Sequence, residues 1–175
     1  MSTHQNADAM RIDPGSAPGW TAAGTLLLPI AATAWPLPAT PLSLDGIAFI
    51  PKLELHVTVV GRALGAELHE AGLRDVVVSA CTPLDWRFVR CGHWLHLQAR
   101  AGGRRRHSII ERIELPALGI LYATLGALLG RQPPVPPAHV TLYTAGDEQG
   151  IGVPDAAALA RRTVRRIDAG ELGMH

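Results

Sequence analysis

Apolar and polar positions along the chain switch between a period of two and a period near 3.6, and the switches mark out its elements. From Lys52 to Val59 the alternation is strict: Lys52, Glu54, His56 and Thr58 share one face, while Leu53, Leu55, Val57 and Val59 share the other. This predicts a strand with a core face and a polar face. Ala138-His139-Val140-Thr141-Leu142 repeats the second half of that pattern, so His139 and Thr141 also share a face. Ahead of the first copy, residues 26–30 read as an edge strand. The proline-rich run 35–41 then breaks regular structure, and Asp45-Gly46 turns the chain into an apolar stretch over 47–50.

After Gly61, Leu64 and Leu68 predict a short helix over 62–71, stopped by Gly72. Residues 75–79 read as a strand. Residues 86–90 and 93–100 read as a hairpin around Cys91-Gly92, and Ala101-Gly102-Gly103 makes a second turn into a strand over 108–115. Pro116 opens a helix in which Leu118, Leu121, Tyr122, Leu125, Leu128 and Leu129 recur at helical spacing, and Gly130 closes it. Pro133 to Pro137 form an extended ramp into His139, 146–152 a glycine-rich loop, and 155–167 a terminal helix with Ala156, Leu159, Ala160, Thr163, Val164 and Ile167 as its buried stripe. Residues 1–24 lack apolar periodicity and read as a flexible arm. Residues 25–175 read as one domain.

Composition narrows the partners. Sixteen Lys and Arg against fifteen Asp and Glu give a net charge of +1, so any affinity for phosphate must come from a local patch rather than a global field. Two cysteines, Cys81 and Cys91, form no disulfide framework and suit a reducing cytoplasm. The apolar run 25–32 is too short to span a bilayer and follows a charged start, so no membrane is expected. A monomer is the plainest expectation for such a chain.

The two strand-borne motifs, His56-Val57-Thr58 and His139-Val140-Thr141, exceed what this composition would place by accident. With this spacing the chain resembles the two-histidine (2H) phosphoesterase superfamily, the group of RNA ligase T-like cyclic phosphodiesterases, over about residues 26–167. The resemblance implies an α+β fold that is bilobal, with pseudo-twofold duplicated antiparallel-sheet lobes, helices outside and a central cleft between the motif strands. It implies a cytoplasmic hydrolase in RNA processing that acts on a nucleotide or RNA-end phosphodiester, needs no metal or other cofactor, and uses His139 as base and His56 as acid. Imidazole suits both proton transfers near neutral pH, and the Thr58 and Thr141 hydroxyls can donate to the non-bridging phosphate oxygens. The alternative is a binding module that keeps the cleft and recognises a nucleotide or RNA end without turnover.

Other residues fall into place around these four. Lys52 could meet a phosphate and Glu54 orient a histidine, since both share the first motif's face. Tyr143 shares the second motif's face and suits either stacking on a base or packing at the cleft edge. Arg104, Arg105 and Arg106 are a solvated charge run or a contact to substrate phosphate, and Gly150 or Gly152 either lines the cleft or simply turns the chain. Arg161, Arg162, Arg165 and Arg166 lie opposite the terminal helix's stripe and read as solvated. The glycine loop lacks the Lys-Ser/Thr ending of a P-loop. Cys91, His93 and His96 do not make a zinc site, because His93 and His96 point to opposite faces of a strand unless a bulge intervenes.

Overall fold

The computed structural model describes residues 11–173. Among these, the strands are β1 (Gly19–Trp20), β2 (Leu26–Ile30), β3 (Leu42–Leu44), β4 (Ile47–Pro51), β5 (Leu55–Val60), β6 (Val89–Ala101), β7 (Arg104–Glu114), β8 (His139–Ala145) and β9 (Thr163–Ile167). The helices are α1 (Arg62–Glu70), α2 (Arg74–Cys81), α3 (Pro116–Leu129) and α4 (Ala156–Arg162), with a last 3₁₀ turn over Ala169–Leu172. The protein is therefore α+β, built on two antiparallel sheets of order β1-β2-β5 and β3-β4-β8-β7-β6-β9.

Local chemistry explains most of these elements. Asp45 and Gly46 both take positive φ, 52° and 75°, which is the two-residue turn that matches strand twist and closes the β3–β4 hairpin. Pro116 sits at the start of α3, where its missing N–H costs nothing, and Gly130 ends the helix in the left-handed conformation. The main core fills the space between the sheets and helices, with Leu26, Val57, Val59, Leu68, Leu121 and Val140 at or near zero exposure. A second, smaller cluster of Leu97, Ile110, Ile151 and Val153 packs on the other face of the large sheet, beneath Leu159 of α4.

Several sequence expectations need correction. Residues 75–79 are not a strand; they lie in α2, which buries Val77 and Cys81 and leaves Val76 and Val78 exposed. Packing outweighs the modest cost of β-branched residues in a helix, and Asp75 favours the helix start. Cys91-Gly92 is not a hairpin turn but a bulge within the single long strand β6, where the pairing with β7 slips between Arg90 and His93. Gly92 takes φ 63° there and turns its N–H toward the buried Glu111 carboxylate, 3.4 Å away. The real hairpin turn is Gly102-Gly103, and β7 begins at Arg104 rather than 108.

The terminal helix stops at Arg162, and Thr163 to Ile167 add a strand to the edge of β6 instead. Residues 26–30 are not an edge strand, because β2 is paired on both sides. Nor are residues 11–24 a free arm: Ile12 bridges Phe88, β1 pairs with β2, and the Trp20 indole donates to the Arg74 carbonyl at 3.2 Å while stacking under the Arg74 guanidinium. Residues 1–10 lie outside the described residues. The alternation expected from Lys52 onward starts only at Leu55, since the chain bends at 53–54 and leaves Leu53 90% exposed.

Candidate active site

Both motifs lie on strands with the expected facing. Along β5, Leu55, Val57 and Val59 are buried while His56 and Thr58 stay partly exposed. Along β8, Val140 and Leu142 are buried and His139 and Thr141 are partly exposed. The two strands belong to different sheets yet lie against each other, with Cα atoms within 8 Å. Residues 83 positions apart in sequence thus meet at the junction of the sheets.

Thr58, His139, Thr141, Arg106 and Gly150 all line one cleft of about 630 Å³. Its walls come from the start of α1, the end of β6, the proline ramp and the loop after β8. His56 stands beside this cleft rather than in its lining, close enough to His139 to disfavour its protonation. Gly150 fits closely: a Cβ there would stand 3.0 Å from the Thr141 hydroxyl oxygen.

His139 is held by its backbone. Its Nδ1 lies 2.7 Å from the Pro137 carbonyl oxygen, which can only accept, so Nδ1 carries the proton and the neutral ring keeps its lone pair on Nε2. Burial lowers the pKa of His139 below the ordinary 6.5; the Pro137 bond works the other way, and Arg112 and His56 lower it further. Burial and the nearby Lys52 ammonium also depress His56, with Glu54 opposing. Both rings are therefore neutral at neutral pH in the free protein.

The remaining expected residues have other partners. Lys52 Nζ donates to the Glu148 carbonyl at 2.9 Å and pins the glycine loop from outside the cleft lining. Arg106 lines the cleft but spends itself on the same loop, donating to the carbonyls of Gln149 at 2.9 Å and Gly150 at 3.3 Å, with Asp147 at 3.3 Å. Tyr143 is 5% exposed and packs in the main core, because the β7–β8 register slips between Ile109 and Ile110 and shifts it off the face of Thr141. Arg104 is exposed at the start of β7 and does not line the cleft. Arg165 is not simply solvated, being held by Asp45 and Glu171 at 2.8 Å each.

Some residues carried no sequence signal. Arg112 is the cross-strand neighbour of His139 and donates through Nε to the Ala138 carbonyl at 3.2 Å. Arg62, Arg100 and Arg131 line the cleft, as does Arg162, which reads from sequence as solvated. Only strand register and helix docking bring them together.

Among the described residues, no group of three or more His, Cys, Asp or Glu is placed to hold a metal ion. Cys91, His93 and His96 stay apart despite the bulge, since His96 turns into the core against Phe49 while His93 is exposed. Among the same residues no helix is long and apolar enough to cross a membrane. Compared with protein families, with curated proteins and with solved structures, the chain matches none.

Proposed function

We propose that this protein is a metal-independent phosphoric diester hydrolase of the two-histidine kind, acting on a cyclic phosphodiester or a short linkage at an RNA end. The observation that carries the reading is the meeting of two His-Val-Thr strands from different sheets, with Thr58, His139 and Thr141 lining one cleft and His56 within electrostatic reach of His139. On this reading β5 and β8 are counterpart strands of a duplicated, bilobal fold, and the two sheets are its lobes.

The chemistry follows from the groups present. With the phosphate against Thr58 and Thr141, their hydroxyls donate to the non-bridging oxygens as charge builds there. Nε2 of His139 takes a proton from water as its oxygen attacks phosphorus. The bond from phosphorus to the departing sugar oxygen then breaks, and protonated His56 gives its proton to that oxygen. A cyclic diester becomes a monoester, and solvent restores both histidines. His56 is neutral in the free protein, so the anionic substrate itself favours the protonated acid on binding.

The test is turnover of a panel of small cyclic phosphodiesters and cyclic-ended oligonucleotides in excess EDTA. Product formation at the same rate with and without chelator is expected. Saturable binding without product would leave a nucleotide-binding module, and loss of activity on chelation would overturn the metal-free scheme.

A further inference from the structure

Three arginines that line the cleft have no counter-charge among the described residues. Arg62 is the first residue of α1, Arg100 lies near the end of β6 and Arg162 is the last residue of α4; all three line the cleft. None of these side chains makes a hydrogen bond or ion pair within the described residues, whereas Arg131 is paired with Glu67 and Arg106 with Asp147. Glu67 is the one carboxylate among the lining residues. The cleft thus concentrates more positive charge than the net +1 of the whole chain.

Like charges gathered in a concave, partly apolar space repel one another and focus a positive potential outward. The reacting diester carries a single charge, and the proposed chemistry places it against Thr58, Thr141 and the histidines. Three further guanidiniums are more than that one charge requires. We propose that Arg62, Arg100 and Arg162 form a second phosphate site in this cleft, which takes a phosphate of the substrate other than the reacting one. The proposal rests on the two-histidine reading only for where the reacting phosphate sits.

The same lining indicates what is not read. Tyr122 is the one aromatic residue in it, and it is 3% exposed with its hydroxyl donated to the Val59 carbonyl at 3.0 Å. Among the described residues, no Phe, Trp or Tyr ring of the lining is free to stack on a base, and Pro133, Pro134 and Pro136 supply part of the apolar lining. The ligand is therefore recognised by its phosphates and not by its base.

Calorimetric binding of the 3′-monophosphate, 5′-monophosphate and 3′,5′-bisphosphate of adenosine and uridine tests this without requiring turnover. The bisphosphate should bind about tenfold tighter than either monophosphate, as one added charge-assisted contact would give. Its log K should fall more steeply with log salt by about one, equally for both bases. Arg100→Gln with Arg162→Gln should remove most of that gain, and Arg62→Gln alone provides a second variant if the pair fails to fold. A bisphosphate no tighter than the better monophosphate, or a gain that survives in the folded variants, overturns the proposal. Gain without turnover of any diester would sink the hydrolase and keep the site; turnover without gain would do the reverse.

Discussion

A single hydrogen bond sets the chemistry available to His139. The Pro137 carbonyl fixes which nitrogen bears the proton, and the two prolines before Ala138 keep that carbonyl in place. If His139 and His56 move protons, His139→Ala and His56→Ala should each lower turnover roughly 10²–10⁴-fold. Because both act in one step, the double variant should lose far less than the product of the two losses. Thr58→Val and Thr141→Val should cost less, each removing one donor while keeping a β-branched shape suited to its strand. Melting temperature is the control. Near-normal turnover in either folded histidine variant would take that residue out of the mechanism.

Elements here are shaped by what they must satisfy. The β6 bulge serves Glu111, which is fully buried and bound by Arg90 at 2.6 and 3.0 Å, the Trp94 indole at 2.9 Å and the Gly92 N–H. Further along the same strand pair, His96 Nε2 lies 2.9 Å from His107 Nδ1 beneath Phe49, and His96 Nδ1 is buried with no hydrogen-bond partner among the described residues. Burial lowers both pKa values by disfavouring the charged form; His107 and Arg165 lower His96 further while Asp45 opposes, and Arg105 lowers His107 further. The folded protein therefore binds these protons later than the unfolded chain does. Their contribution to stability is complete above the ordinary 6.5 and is lost as pH falls below it. Melting temperature should drop from about pH 7 to about pH 5. His96→Gln should flatten part of the drop while costing about 1 kcal/mol at neutral pH. A wild-type curve flat over that range would contradict a neutral pair formed by buried His96 and half-buried His107.

At the scale of the molecule, the cleft exists because two sheets meet along β5 and β8 and leave their polar faces unfilled. That geometry brings His56 near enough to His139 to add, after burial and Arg112, to the lowering of its pKa. The rate parameter kcat/KM reports the free protein, in which both pKa values lie below 6.5. If His139 is the base and His56 the acid, the base must be neutral and the acid protonated, so the profile should be bell-shaped with its optimum on the acid side of 6.5. The kcat profile should extend further toward alkaline pH, because bound anionic phosphate raises the pKa of the acid. An alkaline optimum for kcat/KM would reverse the assignment of depressed histidines.

The facing of each motif strand is legible from the residues alone, since period-two alternation needs no partner to be read, and so is α3, through its proline start, leucine spacing and glycine stop. The turns at Asp45-Gly46 and Gly102-Gly103 were equally legible, because few residues other than glycine adopt those backbone angles without strain. Tertiary structure decided the rest. Thr163, Val164 and Ile167 satisfy a helical stripe and a strand alike, and only the open edge of β6 makes them β9. Tyr143 left the cleft through a one-residue slip in register that no local pattern encodes. The three arginines without a partner among the described residues come from α1, β6 and α4, and they share a cleft because the packing of those elements, not their spacing in the chain, brings them together.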